Sequence, residues 1–232
     1  MNSRFTFKQF EIQQDRCAMK VGTDGVLVGA WARGGHRILD IGCGTGLIAL
    51  MMAQRYPHAY VDGVEIDLEA ARQATENVIA SAFANRIGIH ALPLQEFVPS
   101  RPYDAMVSNP PFFLNGLKNP DISRTLARHA ESLPYKVIFT FAGKWLNPEG
   151  ELSVIIPVEL LEQFTMDAYM SGFCVSRRVM IRTTLDKLPK RCLIAFSKQR
   201  KGEMYTAEQY LTAQDGGRSE WYANLTKDFY IR

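Results

Sequence analysis

The chain has 232 residues, of which 47% are hydrophobic and 22% are charged, and its formal net charge is +3. This composition is typical of a globular protein, and the length suits one α/β domain. No apolar run approaches the roughly 20 residues that a membrane helix requires, and the polar, aromatic N-terminus is unlike a secretory signal. We therefore predict a single domain over residues 1–232, located in the cytoplasm, monomeric and without an obligate protein partner.

Apolar residues near the N-terminus, among them Phe5 and Ile12, predict an edge strand or hairpin, which a helix follows to complete residues 1–36. Residues 37–198 are predicted to form the core. Its predicted strands are 37–41, 60–66, 87–92, 103–108, 152–156, 173–182 and 191–198. Its predicted helices are 47–55, 68–81, 135–146 and 158–170.

Because strands and helices alternate along this core, we predict an α/β fold with a seven-stranded, mostly parallel sheet and helices on both faces. The last two strands lie close together in sequence, so they are expected to pair antiparallel at one edge. Residues 199–232 are expected to form a C-terminal tail packed on the core.

The four cysteines and four histidines are scattered along the chain. No two cysteines form a CxxC pair, and no histidine stands at a ligand spacing from them. We expect reduced thiols and no metal site.

A glycine-rich loop, Asp40-Ile41-Gly42-Cys43-Gly44-Thr45-Gly46, joins the first core strand to its helix. Glycines allow a tight turn and close approach to a ligand. The dinucleotide pattern would need another glycine where Leu47 stands. Glu65, at the end of the second strand, can accept hydrogen bonds from two ribose hydroxyls, whereas Asp67 is expected to cap the next helix. The loop and this acid therefore predict a site for a nucleoside-containing cofactor.

The segment Asn109-Pro110-Pro111-Phe112 follows the fourth strand. The two prolines fix φ and lack amide donors, so they direct the chain out of the sheet. The Asn109 side-chain oxygen and the Pro110 carbonyl can then accept from one amino group, while Phe112 offers a ring for stacking. An amine conjugated to a planar ring is a poor nucleophile, and two acceptors restore electron density to its nitrogen. These four residues are the predicted catalytic residues.

Together these segments resemble the amino-methyltransferases of the class I fold. The run from Asp15 to Gly25, with Gly29-Ala30-Trp31 and the segment from Leu225 to Tyr230, narrows the resemblance to the bacterial tRNA1(Val) (adenine(37)-N6)-methyltransferase family. The resemblance covers nearly the whole chain. It implies a Rossmann-like fold, S-adenosyl-L-methionine as cofactor with S-adenosyl-L-homocysteine as product, no metal, and methylation of adenosine 37 at N6 in the anticodon loop of one valine tRNA.

The resemblance also implies where the cofactor lies. Thr23 and Asp24 would lie near its methionine end, although they could also cap the helix that follows. Gln95 or its neighbours would flank the adenine ring. The predicted cofactor-binding residues are Lys20, Thr23, Asp24, Asp40, Gly42, Gly44, Gly46, Glu65, Gln95 and Asn109.

A basic segment near the end of the core predicts contact with a polyanion. From Arg177 to Lys201 there are nine Lys or Arg residues and one acid, Asp186, while the rest of the chain carries a net charge of −5. A solvated surface would explain the same pattern. By resemblance, this segment would bind the tRNA backbone, and the long loop 113–131 would close over an extruded base. The predicted RNA-binding residues are Lys118, Arg124, Arg128, Arg177, Arg178, Arg182, Lys187, Lys190 and Arg191.

Related reactions on conjugated nitrogens remain as alternatives. A protein glutamine N5-methyltransferase uses a similar Asn-Pro-Pro segment but usually carries a helical domain, for which about 38 residues before Leu39 are too few. A guanine N2-methyltransferase of ribosomal RNA often carries an added domain, and a DNA adenine methyltransferase would need a larger insert for target recognition. A non-catalytic RNA-binding module is the remaining alternative.

Overall fold

The computed structural model describes residues 3–17, 19–112, 135–200 and 202–231. The predicted loop 113–131, with Lys118, Arg124 and Arg128, lies outside these residues. The strands are β1 Arg4–Thr6, β2 Glu11–Gln13, β3 Arg37–Ile41, β4 Tyr60–Glu65, β5 Ile87–Ala91, β6 Tyr103–Ser108, β7 Leu146–Pro157, β8 Cys174–Thr184, β9 Arg191–Ser197 and β10 Tyr205–Thr212. The helices are α1 Thr23–Trp31, α2 Leu47–Arg55, α3 Leu68–Ile79, α4 Tyr135–Trp145, α5 Leu161–Met170 and α6 Glu220–Thr226.

Within the described ranges, the central sheet has eight strands in the order β10-β8-β9-β7-β6-β3-β4-β5. The neighbours from β7 to β5 pair in parallel, and β9 runs antiparallel to both β7 and β8. The sheet is therefore mostly parallel, as predicted, but the predicted count of seven strands was wrong. The additional strand, β10, comes from the C-terminal tail and pairs in parallel with β8, so β10 forms the edge. Its residues mix polar and apolar types and none of them is fully buried, which leaves a weak strand pattern in the sequence.

Helices cover both faces of this sheet. On one face, α1 lies against α2, and this contact is close because Gly29 has no side chain: a Cβ there would come within 2.8 Å of the Met51 sulfur. The other face buries an aromatic cluster, in which the Phe139 ring lies 5.0 Å from Phe164 and 5.2 Å from Phe196. Each fully buried side chain of this size contributes about 1.5–3 kcal/mol to folding.

Both chain ends pack beside the first face. Strands β1 and β2 form the predicted N-terminal hairpin, and Ile12 is fully buried beneath it. The Lys8 amide donates to the Phe229 carbonyl at 2.8 Å, and the Phe7 ring lies 5.9 Å from the Tyr230 ring. The two ends thus secure each other next to α1 and α2. Across the described parts of the chain, every helix is too short or too polar to cross a bilayer.

Several loops lie together at the edge of the sheet that is formed by the carboxyl ends of its parallel strands. Strands β3, β4, β5, β6 and β7 all end there because they are parallel. Arg191 at the start of β9 pairs with Pro157 at the end of β7, and also with Ile181 near the end of β8. The β8–β9 hairpin, residues 185–190, therefore projects from the same edge as the glycine loop and the Asn109 segment. This is where a parallel α/β sheet forms its ligand site.

Candidate active site

A cavity of about 320 Å³ opens at this edge, a volume suited to a small organic ligand. Its walls come from residues 20–25, 42–45, 65–67 and 92–94, together with Asn109 and Pro111. Seven of the ten predicted cofactor residues line it: Lys20, Thr23, Asp24, Gly42, Gly44, Glu65 and Asn109. Asp40, Gly46 and Gln95 do not belong to its wall.

The glycine loop depends on backbone conformations that other residues rarely adopt. Gly42, Gly44 and Gly46 have φ values of 69°, 53° and 80°. The amides of Gly42 and Cys43 donate to the Val64 carbonyl at 2.9 and 3.1 Å, which fastens the loop to the end of β4. Gly46 is the capping residue before α2, and a Cβ there would lie 3.4 Å from the Ala74 Cβ, so its role is close packing of the loop on α3.

The Glu65 carboxylate is held in place by two backbone amides of the protein itself. Its Oε2 accepts from the Gly44 amide at 2.8 Å, and its Oε1 accepts from the Asp67 amide at 2.9 Å. Each carboxylate oxygen has a second lone pair, so both can still accept from ligand hydroxyls. Asp67 itself caps α3, as predicted, by accepting from the amides of Glu69 and Ala70.

Asp40 lies beneath the loop and is 0% exposed. Its Oδ2 accepts from the Ala49 amide at 2.9 Å, while Oδ1 has no hydrogen-bond partner among the described residues. Burial raises the pKa of this carboxyl from 3.8 to about 8, although the Ala49 amide opposes the shift. Asp40 thus supports the loop from the interior.

The wall after β5 is apolar. Leu92, Pro93 and Leu94 line the cavity, whereas Gln95 is exposed on a short 3₁₀ helix, Leu94–Glu96. An apolar wall suits the face of a purine, so the neighbours of Gln95 are better placed for that contact than Gln95. The run of apolar residues directly after a strand was the signal in the sequence.

The first turn of α1 decides between the two interpretations of Thr23 and Asp24 that the sequence left open. The capping residue is Gly22, which has no side chain to offer, so the capping alternative does not hold. Both lie inside the first turn and line the cavity instead. The Asp24 carboxylate forms an ion pair with Arg191, with Nε to Oδ2 at 2.7 Å.

The Asn109 segment leaves the sheet directly beside the glycine loop. The Ser108 hydroxyl donates to the Ile41 carbonyl at 2.8 Å, which joins the ends of β6 and β3. The Asn109 Oδ1 atom is buried and has no hydrogen-bond partner among the described residues. A buried acceptor without a partner costs about 1–3 kcal/mol, so its place in a cavity wall indicates a ligand donor. Phe112 lies under the Arg191 guanidinium, whose Cζ is 5.3 Å from the ring centroid.

Three arginines of the basic segment form ion pairs within the protein. Arg177 contacts Glu151 through Nε at 3.1 Å and Nη2 at 2.5 Å, and its Cζ lies 3.9 Å above the Trp31 ring. Arg182 contacts Glu208 of β10 at 2.5 Å, and Arg191 contacts Asp24. Arg178 is half-buried, and its Nε has no partner in the described part of the chain. Lys187 and Lys190, in the β8–β9 hairpin, are exposed.

The cysteines are free thiols. Cys17 and Cys43 line the cavity, where burial raises the pKa of Cys17 to about 11 and the pKa of Cys43 well above its usual 9.0. Neither thiol is ionised at neutral pH, so neither is a ready nucleophile. In residues 3–17, 19–112, 135–200 and 202–231, no three His, Cys, Asp or Glu side chains gather as metal ligands.

Sequence comparison gives relatives of the same length. The profile of the methyltransferase small domain family matches residues 22–178. The chain is 42% identical to the tRNA1(Val) (adenine(37)-N6)-methyltransferase of Parabacteroides distasonis, covering 100% of this chain and 99% of that protein. It is 44% identical to the enzyme of that name from Phocaeicola vulgatus, covering 99% and 98%. For the enzyme of that name from Escherichia coli O157:H7, the identity is 40%, covering 98% and 94%.

Solved structures share the fold at low identity. A predicted O-methyltransferase from Agrobacterium tumefaciens superposes with a TM-score of 0.70 at 18% identity, covering 89% of this chain and 96% of that chain. Pyrococcus horikoshii TYW2 in complex with MeSAdo superposes with a TM-score of 0.56 at 15% identity, covering 82% and 69%. These similarities establish the Rossmann-like class I methyltransferase fold.

Proposed function

The chain belongs to the tRNA1(Val) (adenine(37)-N6)-methyltransferase family, and on this premise we propose that it methylates adenosine 37 of tRNA1(Val) at N6. The methyl donor is S-adenosyl-L-methionine, and the products are N6-methyladenosine, S-adenosyl-L-homocysteine and a proton. The observation that carries the proposal is the buried Asn109 Oδ1, an acceptor without a partner among the described residues, in a cavity wall beside the glycine loop.

The residues of the cavity fit this cofactor. Glu65 presents two carboxylate oxygens to the ribose hydroxyls, and the apolar residues 92–94 form a surface for the adenine face. Gly42 and Gly44 keep the space above the loop open because neither carries a Cβ. Lys20, Thr23 and Asp24 line the wall at the proposed methionine end. When bound, the cofactor supplies a methyl group that the positive charge on sulfur has already activated.

The work left to the protein is to prepare and place the target nitrogen. The N6 lone pair of adenine is delocalised into the ring, which makes the amine a weak nucleophile. If the Asn109 Oδ1 and the Pro110 carbonyl both accept from that amine, its nitrogen becomes more tetrahedral and its lone pair more available. Phe112 stacks on the base and aligns it. Positioning and fixed dipoles supply the rate enhancement, and the proton leaves to water after transfer.

The surface beside the cavity supports an RNA substrate. Lys187 and Lys190 are exposed in the hairpin that projects from the active-site edge, so both can contact phosphates near a base held at Phe112. Position 37 lies in a loop, where a base leaves its stack at lower cost than from a duplex.

The test uses the full chain, S-adenosyl-L-methionine with a labelled methyl group, and unmodified tRNA1(Val). Nucleosides from the digested RNA are separated by liquid chromatography and identified by mass spectrometry. We expect labelled N6-methyladenosine that maps to position 37, and no label in a matched tRNA with guanosine at that position. Label in methylguanosine, or in protein glutamine and not in RNA, would assign the site to another amine and refute the proposal.

A further inference from the structure

Arg191 lies between the two binding regions of the active site. Its Nε donates to the Asp24 Oδ2 at 2.7 Å, and its Nη1 donates to the Lys190 carbonyl at 3.1 Å. Its Cζ lies 5.3 Å from the Phe112 ring centroid. The guanidinium is thus fixed by two hydrogen bonds and an aromatic ring. One of these partners lines the cofactor cavity and another belongs to the predicted catalytic segment.

These contacts argue against a direct phosphate contact by Arg191. Its charge is balanced by Asp24, and both side chains are largely covered, with 30% and 24% of their surfaces exposed. To reach a phosphate, the guanidinium would have to give up the ion pair and the ring. Lys190, the preceding residue, is exposed and can make such a contact without that loss.

We propose that Arg191 is a positioning residue, which ties the base-stacking ring of Phe112 to Asp24 in the wall of the cofactor cavity. The proposal rests on the proposed function, since it assigns Phe112 to an extruded base. Because the guanidinium covers one face of the ring, the base stacks on the opposite face. The arrangement also links the two ligands: a change at Asp24 alters the support of Phe112, and the reverse holds by linkage.

Two substitutions of Arg191 separate this role from phosphate binding. Arg191→Lys keeps the charge but loses the planar fork that bonds and stacks at once, whereas Arg191→Gln loses both. If Arg191 positions Phe112, we expect both variants to lower kcat by roughly 10-fold to 100-fold at saturating tRNA and cofactor. The salt dependence of tRNA binding should stay at its wild-type slope. Lys190→Gln is the reference for a phosphate contact, and it should reduce that slope by about one.

A spectroscopic readout follows the base itself. In tRNA1(Val) with 2-aminopurine at position 37, extrusion raises the fluorescence and stacking on Phe112 quenches part of the rise. We expect Arg191→Lys to weaken this quenching while the tRNA still binds. A wild-type kcat in Arg191→Lys, together with a reduced slope in Arg191→Gln, would identify Arg191 as a phosphate contact and overturn the proposal.

A double-mutant cycle tests the ion pair from its other side and covers the case in which one variant folds poorly. If the pair acts as a unit, Asp24→Asn and Arg191→Lys together should lower kcat no further than the more damaging single change. Independent, multiplying effects would overturn the proposal. Failure of the wild-type chain to methylate tRNA would instead refute the proposed function, so the two failures are distinguishable.

Discussion

The two halves of the active-site edge are held in different ways. In the cofactor half, carboxyl oxygens accept from backbone amides of the glycine loop, α2 and the start of α3: Glu65 from Gly44 and Asp67, and Asp40 from Ala49. In the half assigned to RNA, side chains pair with side chains on other elements, and Arg191 and Asp24 are 167 residues apart. The first half is therefore held by the backbone of motif segments, and the second by tertiary contacts between side chains.

Because of this difference, the number of Lys and Arg residues in the basic segment overstates the positive charge that is available to RNA. The basic segment contains nine Lys or Arg residues, but Arg177, Arg182 and Arg191 are each balanced by a carboxylate. The charge that remains available to a phosphate is carried at the hairpin by Lys187 and Lys190, which are exposed. A cluster of arginines in sequence can thus be an internal network as well as a binding surface.

The largest expected effect separates cofactor binding from catalysis. Asn109→Ala removes the side-chain acceptor for the target amine, so we expect kcat to fall roughly 100-fold to 1,000-fold. Cofactor affinity should fall far less than kcat, because Glu65 and the glycine loop are untouched. Single-turnover methylation of tRNA measures the first quantity, and isothermal titration with the cofactor measures the second.

Asn109→Asp is the matched variant, because a carboxylate keeps an oxygen where the amide oxygen stood. It should retain more activity than Asn109→Ala. Equal activity of Asn109→Ala and the wild type would show that the side-chain acceptor has no part in methyl transfer. Catalysis and cofactor binding could then not be separated at this residue.

Much of the cofactor half could be predicted from sequence because its signals are local. The bounds of β3, α2 and β6 agree with the predicted strands and helix at both ends. The Asp67 cap was also predicted, since a cap needs only the residues that directly follow it.

The errors arise where distant contacts decide. Strand β10 has no strong apolar alternation, and it becomes a strand because β8 offers unpaired backbone groups. For Asp24 the sequence left two interpretations open, because nothing near it in sequence reveals Arg191. Near Gln95 the sequence did not show which side chain faces the cavity, and Leu92, Pro93 and Leu94 line its wall there.

The next effect compares paired with exposed positive charge. Replacing Lys187 and Lys190 together by Gln should reduce the salt slope of tRNA binding by about two and weaken binding roughly tenfold at low salt. Arg177→Gln should instead lower the free energy of unfolding by about 2 kcal/mol, because Glu151 is left in a buried position without its bidentate partner. Filter binding across a salt series and urea unfolding measure the two effects.

The distinction between paired arginines and exposed lysines would be refuted if the arginine variant changed RNA binding and the lysine variant did not. A reduced salt slope in Arg177→Gln with unchanged stability would mean that Arg177 leaves Glu151 to bind RNA. An unchanged slope in the lysine double variant would show that the hairpin is only a solvated surface.

The last effect concerns stability and leaves catalysis aside: it tests Asp40, whose raised pKa reflects burial without full pairing. The pKa is about 8 in the folded protein and 3.8 ordinarily, so between these values the folded protein keeps a proton that the unfolded chain has lost. Stability must then fall as pH rises through this window. Asp40→Asn cannot titrate, so the Tm of the variant minus that of the wild type should increase from pH 5 to pH 8, by about 2–4 °C for each 1 kcal/mol of linkage.

Asp215→Asn, in an exposed turn, controls for loss of one charge. A difference in Tm that stays constant with pH would show that Asp40 is ionised in the folded state, and that the cofactor half, like the half assigned to RNA, contains a buried charge.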